Sequence, residues 1–336
     1  MNFFLVQYLC LTFFLSLQKI AAKDNYLNYH REIIEAENKA FKGCVSCSLQ
    51  KYREVFYKYK KPFARDCFIA AQIATLIPDN FSTISEFLGF GFNNGLNLTA
   101  VYNNSALRNY MSKIDFKELD SIYSINRNAY IKSLNYPLRT RVLKMLKEDD
   151  DDKVLLNKNK ITAEQYVNVL EDNIREIQKL ITQNGFPGEH LIGIVDPELD
   201  SPQHSGKWNY LSTITERIFF HHGCGYQLLS NELLTALLDG ELHPKEYAII
   251  YEWSFEELSS SYLCHYYKLS CQKLQKLEEY YVLKIIPQKR INQLSQKEIK
   301  HIDTCRQKIG LQSIEHEVLK KDFEAQHFLD FNFGFM

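Results

Sequence analysis

Glycine and proline are scarce in this chain, with 13 and 8 residues among 336. That scarcity excludes collagen-like repeats and long structureless linkers, which are built from those residues. A surplus of one charge is also missing, because 40 Lys+Arg stand against 41 Asp+Glu for a formal net charge of -1. A broad nucleic-acid footprint needs excess Lys and Arg on one face, so no nucleic-acid partner is expected. Cysteine is sparse, 8 residues scattered along the whole length, whereas small disulfide scaffolds carry it densely. No Walker or Rossmann phosphate loop is present: Gly89-Phe90-Gly91 lacks the third glycine and the Lys-Ser/Thr pair. H-E-x-x-H and sustained period-2 alternation are absent as well.

What is present is 45% hydrophobic residues, including 21 Tyr and 22 Phe, a composition suited to aromatic packing between regular elements. At about 150 residues per domain, the length predicts two domains. Residues 3–17 (FFLVQYLCLTFFLSL) form an apolar run, shorter than the roughly 20 residues a membrane helix needs. Followed by Ala21-Ala22, it matches a secretory signal over residues 1–22, with the mature chain beginning near Lys23. The expectation is export to the periplasm, cell surface or medium, with no transmembrane span after signal removal. A buried N-terminal helix would instead leave the protein in the cytoplasm. Asn-x-Ser/Thr sequons at Asn80, Asn97 and Asn103 matter only in a glycosylating pathway. Signal removal leaves seven cysteines, an odd number, with Cys44-Val45-Ser46-Cys47 the one C-x-x-C. A redox or metal role for that pair needs a βαβ context or a partner pair, and the sequence shows neither.

The chain repeats itself in its first third. An offset of 34 pairs Arg31 with Arg65, Glu32 with Asp66, Ile34 with Phe68, Ala36 with Ala70, Asn38 with Gln72 and Ala40 with Ala74. At an offset of 35, Leu49 meets Ile84, Tyr52 meets Phe87 and Val55 meets Phe90. Small alanines let two helices approach closely, and large apolar residues on the following helix fill the groove of the next pair. Over about residues 26–95 the segment resembles the tetratricopeptide-repeat family in two degenerate units. The family's Trp, Leu-Gly and Tyr positions are incomplete, and Pro78 sits at the turn between helices. The resemblance implies a concave face for a peptide or protein partner, with Tyr52, Phe56, Arg65 and Gln72 as its binding residues. The residues themselves also fit a simpler reading, in which Tyr52, Phe56, Tyr57 and Tyr59 are helical core with a solvated edge at Lys58, Lys60 and Lys61.

Residues 119–134 and 138–147, the latter after Pro137, continue the helical pattern. The acidic run 148–152 (EDDDD) reads as a solvated bend and a boundary, dividing a stack over 23–150 from a mainly helical domain over 151–336. Thr162-Ala-Glu-Gln165 forms a capping box ahead of an apolar helical stripe that ends at Gly185. Further helices are predicted over 208–222, 230–238, 254–286 after Ser254-Phe-Glu-Glu257, and 295–309 after Ser295-Gln-Lys-Glu298. The predicted class is all-α, a short TPR-like stack of helical hairpins followed by a mainly helical domain. Asn184-Gly-Phe-Pro187, the Ile192-Gly193 step, His221-His222 and the run 242–248 (LHPKEYA) resemble an uncharacterised family of bacterial exported proteins. That resemblance implies architecture and export, and no reaction.

Histidines supply the one candidate constellation for chemistry. His190, His204, His221, His222 and His243 fall within 54 residues, among Glu189, Asp196, Asp239, Glu241 and Glu246. Imidazole and carboxylate are the ligands of a hydrolytic zinc. Neighbouring positions on a helix diverge, however, so His221 and His222 face one ion only if the helix ends between them. One histidine capping a helix and the other buried is the simpler arrangement. The leading expectation is therefore a non-enzymatic interaction module without cofactor. The alternative is a hydrolase holding a divalent metal such as zinc with His190, His221, His222 and His243.

Overall fold

The computed structural model describes residues 25–200, 213–223, 225–260 and 294–331. Among these the protein is all-α, with fifteen helices and one isolated antiparallel bridge, Ile194 to Thr213, in place of any strand. The apolar run 3–17, His204, Cys224 and the predicted helix beyond residue 260 lie outside the described residues. No described helix is long and apolar enough to cross a membrane.

The repeat becomes two helical hairpins. Helices α1 (Tyr26–Phe41) and α2 (Val45–Lys58) pack together, as do α3 (Ala64–Ala74) and α4 (Phe81–Phe92). Ala36, Ala40, Ala70 and Ala74 are all fully buried, since only a methyl side chain admits so close a helix crossing. Tyr52, Val55 and Phe56 of α2 meet Phe87 and Phe90 of α4 in one aromatic core. Tyr52 and Phe56 are therefore interior residues, and the solvent-facing binding role expected of them is corrected. Every residue of α3 is buried, which makes it the central helix of the stack.

Short helices α5 (Leu98–Asn103) and α6 (Ser105–Tyr110) lead into α7 (Lys113–Ser133), which packs on α4. Helix α8 (Tyr136–Asn157) pairs with α9 (Ala163–Asn184). The capping box at Thr162 forms with both of its hydrogen bonds. The acidic run is not a bend: it lies inside α8, where Asp149 is buried against the Tyr166 hydroxyl and His221, and Asp150 accepts Arg217. Leu138, Val142, Met145 and Leu146 belong to the second core, while the first core also takes in Ile194 and Phe323.

The second core gathers α10 (Glu216–His221), α11 (Gly225–Leu228), α12 (Ser230–Asp239), α13 (Pro244–Ser260) and α14 (Gln296–Lys308). Ser254, expected to begin a helix, sits inside α13 with its hydroxyl donating to the Gly223 carbonyl. The Arg139 guanidinium fixes the 192–200 loop, donating to the carbonyls of Ile192 and Ile194 and to both oxygens of Asp200 at 2.7 and 2.8 Å. Gly193 has φ +83°, and a Cβ there would lie 2.1 Å from the Tyr130 hydroxyl, so only glycine fits this turn. Helix α15 (Ile314–His327) returns to α1. It delivers Phe323, Leu329 and Phe331 into the first core.

Candidate functional site

Burying all of α3 confines three polar side chains, Arg65, Asp66 and Gln72, away from water. Each must find a partner inside the protein, because an unmatched buried polar group costs several kcal/mol at worst and about 1–3 in typical mutational data. Arg65 and Gln72 find theirs at the far end of the chain. Gln72 donates through Nε2 to the Asp330 carbonyl and accepts the Asp330 amide on Oε1, both at 2.8 Å. Arg65 donates to the Phe331 carbonyl at 2.9 Å. Leu329 and Phe331 are buried while Asp330 between them is exposed, the alternation of a peptide strand lying on a surface. Phe331 is fully enclosed, with its ring among Phe41, Phe323 and the Lys320 ammonium. Two residues singled out from the repeat, Arg65 and Gln72, are thus brought together on one backbone segment, whereas Tyr52 and Phe56 pack against Phe87.

Beside this contact, α1 turns His30 and Glu37 inward. A cavity of about 30 Å³ opens between α1, α3, the start of α13, the 310–312 turn and α15, lined by His30, Glu37, Arg65, Asp66, His243 and Lys245 among others. It has room for about one water. Burial would raise the Glu37 carboxyl, but Lys320 and His316 outweigh that and hold it at about 2. Asp66 behaves in the opposite way: burial pushes it up to about 6, although it accepts the Tyr29 hydroxyl at 2.8 Å. His30 and His190 are driven down to about 3 by burial, the first also by His190 and the second by Lys61. Both rings are neutral across ordinary pH. Lys245 falls to about 7, because burial outweighs the pull of Glu317.

The four histidines expected at a metal do not converge. His190 lies between Tyr26 and Phe63. His221 bonds Asp149 at 2.6 Å, and His222 is fully buried at the end of α10, its pKa lowered to about 4 by burial. Only His243 joins a group of possible ligands, with His30 and Asp66, whose ligand atoms lie within 4.8 Å of one another. Two imidazoles and a carboxylate are a zinc-type donor set. Against that use, the Lys245 amide donates to His243 Nδ1 at 3.2 Å, which leaves the neutral ring's own proton on Nε2. Arg65 and Lys320 also line the cavity, and their positive charge repels a metal ion. The geometry fits a polar packing cluster better than a cation cage.

Sequence reasoning missed His30 and Glu37. The available signal was their place on the inward stripe Tyr26, Tyr29, Ile33, Ala36 and Ala40 of α1, all buried, where a polar residue must be matched. Glu37's partners, Lys320 and His316, lie about 280 positions away, beyond any spacing rule. Neither a family model, nor a curated protein, nor a solved structure matches the chain. The functional reading therefore rests on the protein's own residues.

Proposed function

We propose that the protein is an exported, non-enzymatic interaction module whose TPR-like hairpin stack binds an extended peptide segment along α1 and α3. The chain's own residues 329–331 take that place in the free molecule. The observation that carries this reading is the paired hydrogen bond between the Gln72 carboxamide and the backbone of Asp330. Such a contact reads main chain without regard to side-chain identity, and the enclosed Phe331 adds an apolar anchor. A tethered segment competes at an effective concentration that reaches the millimolar range, so an outside peptide gains access only when the tether is loosened.

The test uses the full-length chain carrying Asp330→Pro and Phe331→Ala, which removes the amide that Gln72 accepts and empties the anchor. A labelled synthetic peptide of residues 328–336 is the probe. Saturable binding that Gln72→Ala weakens at least about tenfold, equivalent to 1.4 kcal/mol, is expected. Absence of binding to a variant whose circular dichroism is unchanged overturns the proposal, as does binding indifferent to Gln72→Ala.

A metal-dependent hydrolase is the second reading. It now has to be built on His30, Asp66 and His243, the one ligand group among the described residues, and His243 would have to release the Lys245 amide. Stoichiometric zinc retained through purification and lost in His30→Ala would favour it over the interaction module.

A further inference from the structure

The Cys44-Val45-Ser46-Cys47 motif closes into a disulfide in the structure. Both cysteines are exposed, in contrast to Cys67 and Cys305, which are free thiols buried in the two cores. Cys44 is the N-cap of α2, a helix of 14 residues, and Cys47 is its third residue. The bond joins two points of one helical turn and ties no separate elements together. A ring enclosing only Val45 and Ser46 restricts the unfolded chain less than a longer loop would, because disulfide stabilisation grows with loop length. The α1–α2 hairpin is already held by buried Ala36, Ala40, Leu49 and Tyr52. A purely structural purpose is therefore poorly served by this pair.

Its placement suits exchange chemistry. A thiolate at an N-cap lies beside the amides of the first helical turn and the positive end of the helix dipole, which lowers a cysteine pKa. Exposure lets a second thiol approach in line with the sulfur–sulfur bond. The pair also lies three residues beyond Phe41, whose ring touches Phe331. Exchange partners would thus meet the chain next to the proposed peptide face, although the inference does not depend on that face.

We propose that Cys44 and Cys47 form a redox-active dithiol/disulfide that exchanges with low-molecular-weight thiols and with disulfides of partner proteins. In the oxidising direction for the partner, an incoming thiolate attacks one sulfur of the Cys44–Cys47 bond. A mixed disulfide forms and the other cysteine leaves as thiolate. A second partner thiol attacks the mixed disulfide, so the partner loses two electrons and becomes a disulfide, while Cys44 and Cys47 gain two electrons and two protons. In the reverse direction the Cys44 thiolate attacks a partner disulfide, and Cys47 resolves the intermediate and releases a reduced dithiol. Co-reactants are thus supplied by class: a thiol such as glutathione in one direction, a disulfide such as oxidised glutathione in the other.

The full-length chain is equilibrated in buffers of reduced and oxidised glutathione, and the state of each cysteine is read by alkylation and peptide mass spectrometry. Reversible interconversion of the Cys44–Cys47 pair across the buffer series is expected, with circular dichroism unchanged and the Tm lowered by about 5 °C at most, the limit for so short a loop. Cys47→Ser, lacking the resolving thiol, is expected to trap a glutathione adduct on Cys44 at least tenfold faster than Cys44→Ser traps one on Cys47. Three results overturn the proposal: a pair that stays oxidised throughout the series, reduction that lowers the Tm by more than about 5 °C and so marks a structural staple, or equal trapping rates in the two variants.

Discussion

Helices α1 and α3 occupy equivalent places in the repeat, and the residues they share have opposite fates. Arg31 is exposed and donates only to Asn28 within its own helix, whereas Arg65, 34 residues later, is buried and holds the Phe331 carbonyl. Glu32 lies at the surface with Lys51 and Lys58, while its counterpart Asp66 is enclosed. Asn38 is half-buried, and Gln72 is fully buried on the backbone of Asp330. The repeat thus determines how the hairpins close but not which of them the rest of the chain will cover. Polar residues in the covered copy take partners from elsewhere in the chain because burial demands one for each.

The sharpest break of that comparison is paired truncation of the two arginines. Arg65→Ala leaves the Phe331 carbonyl unmatched and an internal void in a buried charged network, a class of change that costs about 4 kcal/mol. Arg31→Ala at the exposed position should stay within about 0.5 kcal/mol of the parent. Urea denaturation of both variants measures the contrast, and equal losses would refute the difference in burial.

Acid separates the helices next, through Glu37 of α1 and Asp66 of α3. Glu37 is held at about 2 when folded against an ordinary 4.5. Its stabilisation is present above pH 4.5 and is lost as pH falls toward 2, an effect of about 3 kcal/mol. Asp66 has the opposite sign: raised from 3.8 to about 6, it contributes fully below pH 3.8 and loses that contribution as pH rises through 6. Glu37→Gln should therefore be less stable than the parent by about 3 kcal/mol at pH 7, the gap narrowing toward pH 2. Asp66→Asn, a mimic of the protonated acid, should be more stable by about 3 kcal/mol at pH 7, the gap closing near pH 4. Stability curves against pH for the three proteins check both signs.

Local chemistry was legible and long-range pairing was not. The capping boxes at Thr162 and Ser295 and the glycine stop at Gly185 all fall where spacing placed them, because a cap needs only its own first or last turn. The hairpins were legible through their alanines. Ser254-Phe-Glu-Glu257 carries the same capping pattern yet lies within α13, since Ser254 finds the Gly223 carbonyl instead. The acidic run was read as solvated, but Tyr166, His221 and Arg217 supply donors to it. Half of the candidate site was marked by the repeat at Arg65 and Gln72. Its other half, residues 329–331, lies 258 positions away from Gln72, and no periodicity reports a contact of that kind.

Intermediate effects sharpen the comparison at the third equivalent pair. Gln72→Ala leaves both the amide and the carbonyl of Asp330 without their partner, at about 2 kcal/mol. Asn38→Ala should cost about 0.5 kcal/mol or less. Faster amide hydrogen exchange at Asp330 in Gln72→Ala, with exchange in α1 unchanged, is the accompanying observation. Loss of protection throughout the stack would instead mean that Gln72 supports the hairpins and not the tail.

The smallest effect concerns the two inter-helix turns, where the offset of 34 sets Pro78 opposite Cys44. One hairpin turn carries a disulfide and the other a proline, and each restrains the unfolded chain over only a few residues. A four-residue disulfide loop accounts for roughly 2 kcal/mol at most in the chain-entropy account, and a proline for roughly 0.4–1 kcal/mol. Pro78 is exposed, between the α3 terminus and Asp79 at φ +54°. Pro78→Ala should therefore lower stability by roughly 0.5 kcal/mol, with no change in the denaturant slope and no change in peptide binding. A loss above about 2 kcal/mol would show that the second turn positions α4 against α3, and that the two hairpins are closed by different forces after all.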